Sequence, residues 1–242
     1  MQSIEEWPTN WERIPGDPYF AIEKVKDGVG TPVIFTSGFG SRRKPQKHGK
    51  IWPGWKRLID YRYPDNPIWR IYWNTQHASL KHYAVTVPEA KRAKSHAEMA
   101  GHGLAKMIEQ TDDGETYILV GYSLGGRVML EATLALANSA RQEPRIETVH
   151  LLGAAYRQMA GIEKARRAVR GHIWNYTSDK DWVLRYICSS YYRLSRVAGS
   201  YNVIGREGFP FKDTKLRNVD VTEIVGANHF SYIWRVKLKR VP

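Results

Sequence analysis

A serine stands between glycines in the segment Tyr117–Val128, which reads YILVGYSLGGRV. An apolar run, typical of a buried strand, leads into Gly121-Tyr122-Ser123-Leu124-Gly125, and helix-forming residues follow. A sharp strand-to-helix turn brings backbone close to the positions two before and two after the serine, where only a very small side chain fits. Ser123 is therefore either an ordinary turn serine or a nucleophile held at the tip of the turn, and the G-x-S-x-G context favours the nucleophile.

A serine hydroxyl is a weak nucleophile near neutral pH, so it needs a base, and the base needs an acid that orients it. Two acids, Asp179 and Asp181, follow the apolar run HIWNYTS, and His229 follows the run VDVTEIV in the segment GANHF. The chain order is then serine, acid, histidine, with each residue close behind a predicted strand. We expect His229 to accept the serine proton and one of the two aspartates to hold the imidazole. The other aspartate could instead cap the turn.

Stabilising the oxyanion of an acyl-transfer intermediate requires two aligned donors. The backbone N–H of Leu124, directly after the serine, is the first candidate. The loop that ends the segment TPVIFTSGFGS offers the second through Phe39 or Gly40, although Gly38-Phe39-Gly40 could also be only a flexible turn. The sequence contains neither a metal-ligand spacing nor a phosphate-loop signature.

The elements that must position these residues follow from periodicity. Short apolar runs predict six strands, and their near-continuous apolar character suits a parallel sheet covered on both faces: 31–37, 68–73, 116–121, 148–153, 172–178 and 219–225. Helices are predicted at 88–110, 124–140 and 159–170, and residues 19–25 are predicted as an added edge strand. Strand followed by helix, repeated, predicts an α/β fold with a doubly wound, mostly parallel sheet.

Length and composition favour one globular domain over residues 1–242, with 42% apolar residues. Residues 189–215 mix aromatics, arginine and glycine, and could form either a lid or a packed insertion. The first thirty residues lack the apolar core of a signal peptide, no apolar run approaches membrane-spanning length, and the lone Cys188 forms no internal disulfide. These features predict a cytoplasmic location.

Basic residues outnumber acidic ones, 37 to 24, for a formal net charge of +13. Such a surface is either a set of solvated faces or an attractant for an anionic partner. Without a zinc-finger spacing or an RNP-type aromatic motif, nucleic acid is an unlikely partner. An anionic membrane surface is a candidate, because the segment HFSYIWRVKLKR is both basic and aromatic. That segment could equally be the last helix covering the sheet. The oligomeric state is left open.

As a set, these residues resemble the α/β-hydrolase superfamily from about Thr31 to His229, with GYSLGG as the most specific motif. More narrowly, the segments SGFG, PGWKRL, IWRIYW, HLLGAA and NYTSDKDWVL look like a lipase-like branch of it. The resemblance implies acyl-ester hydrolysis without a cofactor. It also selects Asp181, because DWVL resembles the segment behind the acid in such enzymes, with Asp179 as the alternative acid. Ser37 stands where many relatives have histidine, which leaves the second oxyanion donor open between Phe39 and Gly40.

Two function classes follow. The first is a serine hydrolase that cleaves a carboxylic ester or thioester, lipid or small and soluble, through an acyl-enzyme. The second is a non-catalytic binding protein that keeps the hydrolase scaffold and a basic surface attracting anions or membranes. Keeping serine, acid and histidine in order favours the first class, because a binding protein needs none of the three.

Overall fold

The computed structural model describes residues 12–14, 17–38, 53–73, 87–111, 114–139, 143–157, 161–188 and 202–240. Its eight strands are β1 (Glu12–Ile14), β2 (Asp17–Lys26), β3 (Val33–Thr36), β4 (Ile68–Trp73), β5 (Tyr117–Tyr122), β6 (Ile146–Leu152), β7 (Ile173–Thr177) and β8 (Leu216–Asp220). The α-helices are α1 (Pro53–Asp60), α2 (Val87–Gln110), α3 (Leu124–Ala137), α4 (Ile204–Glu207), α5 (Thr222–Val225) and α6 (Tyr232–Arg235). There are also 3₁₀ helices at Ile162–Ala168 and His229–Ser231 and a π-helical turn at Val183–Cys188.

All eight strands belong to one sheet with the order β1-β2-β4-β3-β5-β6-β7-β8. Strands β3 to β8 pair in parallel, whereas β2 is antiparallel to both β1 and β4. This mostly parallel, doubly wound sheet is the α/β-hydrolase fold, as the sequence predicted. The carboxyl ends of β5, β7 and β8 meet at one edge of the sheet.

Side chains of β5 alternate between two cores, as a strand covered on both faces requires. Tyr117 and Leu119 pack with the inner faces of α2 and α3, whereas Ile118, Val120 and Tyr122 pack on the opposite side with α1 and α6. Burial of each such apolar side chain contributes on the order of 1.5–3 kcal/mol relative to exposure. The two cores fix the sheet from both faces and hold its carboxyl edge in place.

The predicted strand at 219–225 is wrong in its second half. Strand β8 ends at Asp220, whose carboxylate accepts a hydrogen bond of 2.8 Å from the Thr222 N–H, and α5 begins there. Val221 and Val225, four residues apart, are both buried, so the apolar run is a helical pattern and not a strand. The predicted helix at 159–170 is a 3₁₀ helix in its described part, and the predicted edge strand at 19–25 lies inside the sheet because β1 forms the edge.

The described part of the unassigned segment 189–215 is packed against the sheet. In α4 the Ile204 N–H donates to the Tyr156 carbonyl at 2.8 Å. A Cβ on Gly205 would lie 2.3 Å from the Ala154 nitrogen, so backbone meets backbone here. Residues 189–201 lie outside the described residues, and a lid formed by them stays a prediction.

Candidate active site

Ser123 stands at the turn between β5 and α3 in a strained backbone conformation. Its φ is 57° and its ψ is −123°, and it is the only non-glycine residue with positive φ among the described residues. Such strain costs on the order of 1–3 kcal/mol and persists only where the surroundings enforce it. The enforcement comes from backbone hydrogen bonds: Ser123 N–H donates to Leu152, and the Ser123 carbonyl accepts from Gly126 and Ala155, each at 3.0 Å.

The glycines around Ser123 are explained by close approach of backbone. A Cβ on Gly121 would lie 2.4 Å from the Gly125 carbonyl oxygen, and a Cβ on Gly125 would lie 2.5 Å from the Thr36 oxygen. A Cβ on Gly126 would lie 2.7 Å from the Cβ of Ala154, where α3 crosses the sheet. The steric reason that the sequence offered for the G-x-S-x-G spacing therefore holds in this fold.

The hydroxyl of Ser123 does not cap the helix that follows it. Serine is a preferred N-cap, yet the side chain of Ser123 makes no capping hydrogen bond to α3. The loop that follows β3 passes directly beside it, since a Cβ on Gly38 would lie 2.5 Å from Ser123 Cβ and 2.9 Å from Ser123 Oγ. Ser123 is thus held at the edge of the sheet, 8% exposed, without a capping role.

Asp181 and His229 form a buried pair at the same edge. Asp181 follows β7 and His229 follows α5, and Nδ1 of His229 lies 2.6 Å from Oδ2 of Asp181, with the two residues 0% and 1% exposed. The other carboxylate oxygen, Oδ1, accepts from the Leu184 N–H at 3.1 Å. The Tyr122 hydroxyl donates to the His229 carbonyl at 3.0 Å, which ties the histidine turn to the residue before Ser123.

The second ring nitrogen of His229 has no partner. Because an ionised carboxylate only accepts, Nδ1 carries the proton toward Asp181, and Nε2 holds a lone pair. Nε2 is buried and makes no hydrogen bond to any described residue, Ser123 included. Buried polar atoms are usually paired, so the unpaired Nε2 leaves an acceptor available for a proton or a hydrogen bond at this edge.

Two tyrosines next to this pair were missed in the sequence. The ring of Tyr232 stands edge-on to His229 at 6.0 Å, and burial followed by the nearby charge of Asp181 raises the pKa of its hydroxyl. Burial and the same carboxylate also raise the pKa of Tyr122. Both hydroxyls therefore remain protonated donors at this edge. Two features of the sequence could have pointed to them. Tyr122 is the variable residue before Ser123 in the G-x-S-x-G motif, and Tyr232 lies one helical turn after His229.

Asp179, the alternative acid, is exposed, and its backbone has partners other than His229. Its N–H donates to the Thr222 hydroxyl and its carbonyl accepts from Arg206 Nε, each at 3.2 Å. Among the described residues its carboxylate makes no contact with His229. Of the two aspartates, the structure brings Asp181 to the histidine.

The candidate oxyanion donors are described in part. Leu124 is the first residue of α3, so its N–H has no acceptor inside the helix. Phe39 and Gly40 lie outside the described residues, and the second donor stays a prediction. Within the described ranges, no group of three or more His, Cys, Asp and Glu side chains could hold a metal ion.

Residues 80–241 match the family described as "Protein of unknown function (DUF726)". The chain belongs to this family. Curated relatives include the transmembrane and coiled-coil domain-containing protein STS1 of Oryza sativa subsp. japonica, 33% identical over 57% of this chain and 20% of that protein. An uncharacterized membrane protein of Caenorhabditis elegans is 28% identical over 59% of this chain and 22% of its own length. This DUF726 chain therefore spans less than a quarter of the length of these relatives.

Solved structures similar to this DUF726 chain include a thermostable esterase, with 14% identity, a TM-score of 0.46, and coverage of 95% of this chain and 60% of the other. The mouse alpha/beta hydrolase domain-containing protein 10 has 14% identity, a TM-score of 0.39, and coverage of 88% and 90%. At these values neither protein's activity carries over to this chain. No helix in the described part of the chain is long and apolar enough to cross a bilayer.

Proposed function

We propose that this protein is a serine hydrolase that cleaves a carboxylic ester or thioester through an acyl-enzyme. Ser123 is the nucleophile, His229 the general base and Asp181 the residue that orients the base. The observation that carries the proposal is the unpaired Nε2 of His229, whose Nδ1 is held by Asp181 at 2.6 Å, at the same sheet edge as the strained Ser123.

In the first half-reaction, Ser123 Oγ attacks the acyl carbon while its proton passes to His229 Nε2. The imidazolium that forms is stabilised by Asp181 on Nδ1. The same proton then goes to the leaving oxygen or sulfur as its bond to the acyl carbon breaks. Water attacks the acyl-enzyme in the second half, gives its proton to Nε2, and releases the acid and a free Ser123 hydroxyl.

Nε2 and Ser123 Oγ make no hydrogen bond in the structure, and the proposal requires them to come within reach in the complex with substrate, where catalytic hydrogen bonds often tighten. We assign the first oxyanion contact to the Leu124 N–H and the second to Phe39 or Gly40. Removing one such donor typically costs about 2.7–4 kcal/mol in the barrier.

We favour a lipid ester over a small soluble ester as substrate. The relatives from rice and from Caenorhabditis elegans are named as transmembrane or membrane proteins, which suggests that related chains work beside a bilayer. For the same reason the cytoplasmic location expected from the sequence stays a prediction.

The test is hydrolysis of p-nitrophenyl esters of increasing acyl length by the wild type, Ser123→Ala and Ser231→Ala. Ser231 is the matched control, because it is also a buried serine but has an ordinary backbone conformation. Without its nucleophile, Ser123→Ala should lose roughly 10⁴-fold or more in kcat, whereas Ser231→Ala should stay near wild type. Equal activity of wild type and Ser123→Ala, in folded proteins, would reject the proposal in favour of a binding role.

A further inference from the structure

The C-terminal segment has two distinct faces. Four apolar side chains point inward and belong to the core beside α1: Tyr232, Ile233, Val236 and Leu238. Phe230 and Trp234 are instead 44% and 47% exposed. They are four residues apart on consecutive helical turns and so lie on the same side. The inward face thus covers the sheet, and the outward face presents two large aromatic rings to solvent.

Neighbouring elements extend this outward face. Trp234 lies against α1, because a Cβ on Gly54 would be 3.1 Å from its ring. Arg235 reaches α5, where its Nη1 donates to the carbonyl of Ile224, a side chain 48% exposed. The Lys237 ammonium lies 5.1 Å from the ring of Tyr61, which follows α1.

We call this area the aromatic-basic surface and define it by six exposed residues: Tyr61, Ile224, Phe230, Trp234, Arg235 and Lys237. It combines four apolar or aromatic side chains with two cations.

The cations of this surface are not neutralised locally. Two acids on the adjoining elements already have other partners: Asp60 pairs with Lys26 and Lys56, and Glu223 pairs with Lys180. Among the described residues, no carboxylate pairs with Arg235 or Lys237. Lys239 and Arg240 continue the exposed basic strip beyond them.

This combination fits one class of partner. Exposed Trp and Phe rings insert at the boundary between lipid headgroups and acyl chains, and Lys and Arg beside them pair with anionic headgroups. An acidic protein would also pair with the cations, and the polyglutamate arm of the test separates that partner from a bilayer. Phe230 directly follows His229, with ring centroids 6.1 Å apart, so a bilayer on this surface would lie beside the candidate site.

We propose that the aromatic-basic surface docks the protein on an anionic lipid bilayer. Docking needs none of the proposed chemistry, so Ser123→Ala should bind as the wild type does. A failure of docking and a failure of catalysis are therefore separable.

The electrostatic part is tested by co-sedimentation of the full chain with phosphatidylcholine vesicles, with and without about 30% phosphatidylserine, at low and raised salt. The wild type should bind only the anionic vesicles, and raised salt should weaken binding. Arg235→Gln/Lys237→Gln should lower the partition coefficient roughly 10- to 30-fold. The control Lys164→Gln/Arg167→Gln removes the same charge from the exposed side of the 3₁₀ helix Ile162–Ala168 and should change binding less than about twofold.

The apolar contribution to binding is tested by comparing Trp234→Ala with Val29→Ala. Val29 is the control, because it is an apolar side chain outside the aromatic-basic surface and is 83% exposed. Only Trp234→Ala should weaken binding, by roughly 10-fold. Brominated lipids should quench tryptophan fluorescence in the wild type and much less in Trp234→Phe. Three outcomes would overturn the proposal. The wild type could fail to bind any vesicle, both double charge variants could lose vesicle binding equally, or the protein could capture polyglutamate and no vesicle.

Discussion

Two histidines are fully buried in the described part of the chain, His150 and His229, and they are held in opposite ways. His150, inside β6, has both ring nitrogens occupied: Nε2 lies 2.8 Å from the Tyr63 hydroxyl and Nδ1 lies 3.1 Å from the Tyr176 hydroxyl. The Tyr176 oxygen also accepts from the Lys239 N–H at 2.7 Å. Both ring nitrogens of His150 therefore have hydrogen-bond partners within the protein.

His229 has a carboxylate on Nδ1, and its Nε2 contacts no hydrogen-bonding group among the described residues. Burial, followed by the charge of Arg62, lowers the pKa of His150 to about 3, so that its ring stays neutral. The imidazole of His229 faces an acid able to stabilise its charged form. The difference separates a histidine that completes a core from one that is arranged to receive a proton.

The largest expected effect is a difference in catalytic activity between variants of the two histidines. His229→Gln removes the proposed base and should lower kcat roughly 10⁴-fold or more, whereas His150→Gln should leave kcat per folded molecule within a few-fold. Ester hydrolysis corrected for folded fraction by circular dichroism measures both. A comparable loss of kcat in both variants would contradict the distinction between His150 and His229.

The next effect concerns the acid. Asp181→Asn should favour the wrong imidazole tautomer and lower kcat roughly 10³- to 10⁴-fold, while Asp179→Asn, at an exposed carboxylate, should remain near wild type. Steady-state kinetics on one ester decides it. The reverse ranking would transfer the role to Asp179.

The free energy of unfolding should show the opposite order, with the larger loss in the His150 variant. His150→Phe leaves the hydroxyls of Tyr63 and Tyr176 without the ring nitrogens that they now contact, which should cost about 2–4 kcal/mol in the free energy of unfolding. Urea denaturation measures it. His229→Asn should cost less, because its amide N–H can still donate to Asp181 where Nδ1–H does, and Nε2 has no partner to lose among the described residues. A larger loss in His229→Asn would contradict this interpretation.

The smallest effect is a pH dependence. His150 titrates near its ordinary pKa of 6.5 in the unfolded chain but only near 3 in the folded one. Between these values the unfolded chain binds the extra proton, so stability is full above the higher pKa and falls as the pH falls, by up to about 1.4 kcal/mol per pH unit. The stability advantage of wild type over His150→Phe should therefore shrink between neutral pH and about pH 4.5, as measured by urea titrations. A constant difference would show that His150 does not titrate in this way.

The parts predicted from sequence are those governed by local sterics and strand periodicity. The strand Ile68–Trp73 is found at its predicted bounds, and the turn around Ser123 follows from glycines that have no room for a Cβ. The chain order predicted that an aspartate and His229 follow two successive strands, and the resemblance selected Asp181, which the structure brings to His229. Their catalytic roles, with that of Ser123, stay predictions.

The missed features depend on side chains distant in sequence. Nothing local marks the hydrogen-bonding role of His150, because its partners come from Tyr63 and Tyr176, 87 and 26 residues away. The later part of the predicted strand at 219–225 was wrong because a short apolar run has too few residues to distinguish the two-residue period of a strand from the spacing of about four in a helix. Tyr232 acquires its importance only through the fold that places it beside Asp181.

The most direct test of the central claim is labelling with a fluorophosphonate, read by intact mass and peptide mapping, for wild type and Ser123→Ala together. We predict one adduct on Ser123 in the wild type, none in Ser123→Ala, and labelling that slows markedly in His229→Gln. No adduct in the folded wild type, or an adduct that persists in Ser123→Ala, would contradict an activated serine at this site.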